Sequence, residues 1–180
     1  MEISHSGWRW VSFGLGAMSL ASEPSSAKLT ALCEEVNDVI ARTPTPTAVT
    51  NHVKQIALKE HILSGKWMIF ESSNGDFEAK WSRVKAAVAA GDLGSVAKVN
   101  VGCSKRVICV YTYSFQDEED VYRVCKHLQK IGVSPQFWKP DFLTYVGLNS
   151  GILKAGWFCP KRAKILKRPK AASRSIIIVY

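Results

Sequence analysis

None of the five cysteines, Cys33, Cys103, Cys109, Cys125 and Cys159, forms a C-x-x-C pair with another. Paired ligands of that kind are what a zinc site or a dithiol redox centre requires, so neither is supported. The odd count also argues against a disulfide framework, which favours even numbers in shorter secreted chains. Small buried thiols in a reducing compartment are the simpler reading, and they point to the cytoplasm or the nucleus. No run reaches the roughly 18 uninterrupted apolar residues of a membrane helix, so no membrane association is expected. Catalytic constellations are equally scarce. His5, His52 and His61 have no partner at metal or triad spacing. Cys125 and His127 sit two apart on one expected helix, where they diverge by about 200°. Gly14 and Gly16 follow no strand and open no helix, which excludes a dinucleotide fingerprint. The chain therefore reads as non-catalytic, with no metal and no cofactor.

What is present is an ordinary globular body with a basic end. At 180 residues, 47% hydrophobic and 22% charged, the chain suits one domain with tails. Its net charge of +9 is concentrated beyond residue 141, where eight of the 24 lysines and arginines lie and no acid does. The apolar run Val11 to Ala21 superficially resembles a leader. Glu2 stands where a positive region belongs and Arg9 is the single nearby cation, which argues against that reading. The expected division is an N-terminal extension over 1–24, an α+β domain over 25–160 and a basic tail over 161–180.

Within the body, two hydrophobic periods alternate. Leu29, Leu32, Cys33, Val36, Val39 and Ile40 recur at helical spacing, and the proline-rich 43–47 ends that helix. A second helix is expected over 49–63. Residues 66–71 alternate as a strand, with Trp67 and Ile69 facing one way and Met68 and Phe70 the other. Phe77, Trp81, Val84 and Val88 make a helical stripe that Gly91 closes. Residues 96–101 and 107–113 read as an antiparallel pair, followed by a helix over 117–131 capped by Ser114 or Asp117. Strands are expected at 135–138, 142–148 and 152–158, and SIIIVY is a further candidate at the end. This order predicts an α+β fold, a largely antiparallel sheet covered by helices on one face.

Three phrases, SGKWMIF, VICVYTYSFQDEEDV and WKPDFLTYVG, resemble the basophilic-leukaemia-expressed protein family across 65–160. That family is similar in fold to the mRNA cap-binding translation initiation factors of the 4E type. The resemblance implies a curved antiparallel sheet backed by helices on its convex side. Gly65-Lys66-Trp67 looks like the glycine-basic-tryptophan strand of those factors, and Phe77 to Trp81 like their following helix. Asn100-Val101 with Val107 to Tyr111 looks like their central hairpin. Such factors hold a methylated guanine between two tryptophans, with a glutamate on the base edge and cations on the phosphates. Here 43–64 contains no tryptophan, Glu60 has no aromatic neighbour, and only Trp8 and Trp10 lie further upstream. The resemblance therefore implies the fold without the cap pocket. Beyond Pro160 it gives way to the lysine–arginine tail.

Several residues are candidates for ligand contact. Trp67 and Trp81 occupy periodic core positions. Trp138 and Trp157 lie beside Lys139 and Lys154, and an aromatic next to a cation can hold a base and its phosphate. Lys139-Pro140-Asp141 followed by Tyr145 offers polar groups from a fixed turn, or simply a solvated ion pair. Lys98 should leave the sheet opposite Ala97 and Val99, either lining a concave face or snorkelling to solvent. The candidate ligand site is thus Lys98, Lys105, Arg106, Trp138, Lys139 and Tyr145. In the tail, Lys161, Arg162, Lys164, Lys167, Arg168 and Lys170 could contact nucleic acid by counterion release, act as an import signal, or stay solvated. The expected function is a binding module for RNA or a nucleotide. The alternative is a protein-interaction adaptor that binds no nucleic acid.

Overall fold

The computed structural model describes residues 2–5, 7–12, 24–71, 76–94, 96–101 and 106–148. Helix α1 (Ser26–Arg42) begins where the Ser25 hydroxyl accepts a hydrogen bond from the Lys28 amide, 3.3 Å away. It stops at Thr43, whose successor Pro44 disfavours a helical backbone before it. Helix α2 (Pro46–Lys59) starts almost at once. Thr45 caps it by accepting from the Ala48 amide, and Pro46 stands in the first turn, where its missing N–H costs nothing. The Thr-Pro stretch is therefore both a stop and a start.

Strand β3 (Gly65–Glu71) follows, then α3 (Phe77–Ala89), β4 (Val96–Asn100) and β5 (Arg106–Thr112). Helix α4 (Glu118–Lys130) is capped by Asp117, which accepts from the Asp120 amide at 3.0 Å. Glu118, Glu119 and Asp120 fill its first turn, where the helix dipole favours negative charge. Gly132, at φ +73°, closes it in a conformation that side-chain-bearing residues resist.

Three elements differ from expectation. Residues 2–5 and 8–12, placed in an extension, form β1 (Glu2–His5) and β2 (Trp8–Ser12), and β2 pairs with β4. Val11 of β2 is buried in the main core. The strand expected at 142–148 is instead α5 (Asp141–Tyr145), directly after β6 (Phe137–Pro140). Phe142, Leu143 and Val146 suit one face of a helical turn as well as they suit a strand. Pro140 sets the N-cap at φ −61°, ψ 141°, and the Val146 amide donates to the Phe142 carbonyl at 3.1 Å. The strands expected at 152–158 and in SIIIVY lie outside the described residues, as does Trp157.

The architecture is α+β, a curved, open sheet in the order β1-β2-β4-β5-β3-β6 with every neighbouring pair antiparallel. All five helices contribute side chains to one main core on one face of the sheet. There Trp67, Trp81, Trp138, Phe77, Phe115 and Phe142 are fully buried. Full burial of a large apolar side chain is worth about 1.5–3 kcal/mol, so these aromatics dominate the core. Their polar edges are satisfied. The Trp67 indole N–H donates to the Val121 carbonyl at 2.9 Å and that of Trp138 to the Thr112 hydroxyl at 3.0 Å. Among the described residues no helix is long and apolar enough to cross a membrane.

Candidate functional site

Strand alternation sends every second side chain to the face opposite the main core, which is free of described helices except where α5 reaches Lys66 at its edge. The strand register arranges them in rows across the sheet. One row runs Trp10, Lys98, Cys109, Met68, Phe137. The row on one side holds Tyr111, Lys66 and Lys139, and the row on the other holds Trp8 and Asn100. A second, smaller cluster of Val96, Val107, Cys109 and Tyr111, flanked by Trp8, Trp10 and Met68, forms the floor of this face. Aromatics and lysines therefore share one surface.

The Lys98 ammonium organises one end. It lies 4.4 Å from the Trp8 ring centroid, 4.6 Å from that of Trp10 and 5.6 Å from that of Tyr111. Trp10 and Tyr111 are themselves stacked, with centroids 6.1 Å apart and planes 19° apart. A cation over a tryptophan face is worth about 0.5–2 kcal/mol, which fixes the lysine against the aromatic surface. Directly across the strand pair from it the Cys109 thiol is 1% exposed, and burial pushes its pKa up to about 11. That sulfur is a packing group and not a nucleophile at neutral pH.

At the other end Lys66 donates to Asp141 Oδ1 at 2.5 Å and to the Thr144 hydroxyl at 3.2 Å. The Ser64 hydroxyl donates to the second carboxylate oxygen at 2.7 Å. Lys66, Ser64 and Asp141 are all buried. Lys66 also lies 5.5 Å from the Tyr111 ring centroid, which joins the two ends of the face. Directly across the strand pair from Lys66 stands Lys139, half-buried. Burial, followed by the neighbouring Lys66 charge, lowers the pKa of Lys139, and Asp141 partly offsets both.

The expected site residues separate in space. Lys98 and Lys139 lie on the helix-free face. Trp138 does not: it is fully buried on the helix side with its indole N–H on Thr112, so no base can stack on it. Arg106 also turns to the helix side, where it donates to Glu78 at 2.7 Å and its guanidinium carbon lies 4.1 Å from the Phe77 ring centroid. Tyr145, on α5, packs against the main core. Lys105 and the tail residues Lys161, Arg162, Lys164, Lys167, Arg168 and Lys170 lie outside the described residues. Trp8, Trp10, Lys66 and Tyr111 were absent from the expected set. Their signal was alternation, since Trp8-Arg9-Trp10-Val11 places two aromatics on one face of a strand.

The family model described as "Basophilic leukemia-expressed protein Bles03" matches residues 19–147. The chain belongs to that family. The Bles03 match takes in α1 and α2, which precede the resembling stretch read from the sequence. It also contains Lys66, Lys98, Cys109, Tyr111, Lys139 and Asp141, while Trp8 and Trp10 precede it. Among the described residues, no group of three or more His, Cys, Asp or Glu side chains could hold a metal ion.

Proposed function

We propose that this Bles03-family chain is a non-catalytic binding module that takes single-stranded RNA or a nucleotide on its helix-free sheet face. The basic tail adds phosphate contacts in this reading. The supporting observation is the placement of half-buried Lys98 against the half-buried Trp8 and Trp10, with the buried Tyr111 ring also near its ammonium. Single-stranded nucleic acid is bound by aromatic platforms beside cations, with stacking worth about 1–3 kcal/mol per base. A fold of the cap-binding initiation-factor type belongs to the same reading, with this face as its concave side. Two tryptophans two residues apart on one strand lie side by side, an arrangement unlike a sandwich around one base.

The test is binding of labelled single-stranded RNA, capped and uncapped, to the full chain across a salt series. Trp8→Ala with Trp10→Ala should weaken binding by about fivefold or more, the equivalent of one lost stack. Neutralising the tail cations should instead flatten the salt dependence, by about 0.7 in log–log slope for each phosphate contact removed. RNA affinity that is unchanged by the tryptophan pair removes the sheet face from the mechanism.

A protein-adaptor reading has one observation of its own. Phe70 is 39% exposed and stacks on Phe137 with centroids 5.5 Å apart, while Tyr113 is 56% exposed. A stoichiometric protein partner together with no RNA affinity would favour it.

A further inference from the structure

Lys66 and Lys139 are directly opposed across the antiparallel pair of β3 and β6. Like charges in that position repel, and a sheet ordinarily avoids them. The acid beside them, Asp141, does not settle the account for both. Its Oδ1 is held by Lys66 and its Oδ2 by the Ser64 hydroxyl. Thr144 completes the Lys66 shell at 3.2 Å. Among the described residues no carboxylate stands within 4 Å of the Lys139 ammonium. One half-buried positive charge is therefore left beside a buried, already paired one, with Tyr111 forming the neighbouring wall.

We infer that Lys139, with Lys66 behind it, is an anion site that receives a phosphate group. The chemistry favours a phosphate because several oxygens on one compact dianion or diester can face a lysine ammonium by charge-assisted hydrogen bonds. Asp141 fixes Lys66 in place and spends its own charge in doing so, which leaves Lys139 to carry the attraction. The inference deepens the RNA reading of the same face and rests on it for the owner of the phosphate, though not for the site itself. Lys139 lies three strand steps beyond Lys98 in sheet order, on the order of 14 Å at the usual strand spacing. A base on the tryptophans and a phosphate at Lys139 thus belong to different nucleotides of one strand.

The experiment uses inorganic pyrophosphate, which has phosphate chemistry and no base. The full chain is acylated with a limiting amine-reactive ester, with and without pyrophosphate, and each lysine is read by peptide mass spectrometry. Pyrophosphate should cut acylation of Lys139 at least threefold while leaving the exposed Lys130 on α4 unchanged. Calorimetric titration should show saturable binding that weakens about tenfold in Lys139→Gln and is largely kept in Lys139→Arg. Unprotected Lys139, or protection confined to Lys161, Lys164, Lys167 and Lys170, overturns the site. RNA binding without Lys139 protection would reject this inference alone. Protection by pyrophosphate with no RNA binding would reject the RNA reading and keep the anion site.

Discussion

The indole of Trp138 occupies the space where a side chain on Gly65 would stand. A Cβ built there would collide with Cζ2 and reach within 2.7 Å of Cε2, and the ring cannot retreat because it is fully buried and tied to Thr112. The glycine of the GKW phrase is thus a packing requirement between neighbouring strands β3 and β6. Gly65→Ala should destabilise the protein by about 1–3 kcal/mol, the usual range for overpacking a core. Urea unfolding followed by tryptophan emission measures this directly. An unchanged midpoint would mean that the indole does not sit against that strand.

The buried pair of Lys66 and Asp141 should be costly to halve. Their side chains are 9% and 7% exposed, and each has further hydrogen bonds within the cluster. Lys66→Met leaves a buried carboxylate with only the Ser64 hydroxyl, and Asp141→Leu leaves a buried ammonium facing a second lysine. Removing one partner of such a pair costs about 3–5 kcal/mol. The double variant should recover much of that loss, since two apolar groups need no partners. Chemical denaturation of the three variants closes the cycle. Additive losses in the double variant would show that the two groups are not coupled.

Helices and strand faces were legible in the sequence because hydrophobic period is local. Leu32 with Val36 marks α1, and the alternation of Ala97, Lys98 and Val99 sends Lys98 to the correct face. At Trp138 the same rule separates the indole from the neighbouring cation. Neighbours in a strand point to opposite faces, so Trp138 and Lys139 can never jointly hold one ligand. The true neighbour of Lys139 is Lys66, which only the strand register brings beside it. Trp8 and Trp10 fall in a segment that reads as an N-terminal extension, because a short strand carries no local sign of the sheet edge it joins. Their place on the sheet follows from the pairing with β4. At α5 a one-turn helix and a strand present nearly the same apolar pattern, and Pro140 with Asp141 decides between them.

Cys109 gives a prediction about reactivity. Its thiol is 1% exposed and its pKa is pushed up to about 11, with burial the main cause and the Lys66 and Lys98 charges opposing it. Thiolate is the reacting species, so at pH 7 only about one molecule in 10,000 would carry it. Cys33, half-buried on α1, should react with a thiol reagent well before Cys109 in the native protein. In denaturant the two should label at similar rates. Mass mapping after a short pulse separates them, and fast native labelling of Cys109 would mean that the helix-free face opens readily.

Glu78 on α3 fastens β2, the strand whose opposite face carries the two tryptophans, to the helical side. It accepts from Arg9 at 3.0 Å and from Arg106 at 2.7 Å. The Arg9 hydrogen bond is the main reason its carboxyl is held below the usual range, with desolvation opposing and Arg106 adding to the effect. A depressed acid pKa means that the unfolded chain binds the proton more readily than the folded one. The stabilisation is therefore complete at neutral pH and is lost as pH falls through and below the ordinary carboxylate range. The carboxylate is more than half exposed, so solvent screening limits the pairs to a few tenths of a kcal/mol, at most about 1. Glu78→Gln should cost that much at pH 7 and almost nothing in strong acid. Amide exchange should accelerate in β2 more than in β3, because β2 is the strand that Arg9 anchors. Equal acceleration in both strands, or a stability difference that persists in acid, would rule out this carboxylate as the anchor.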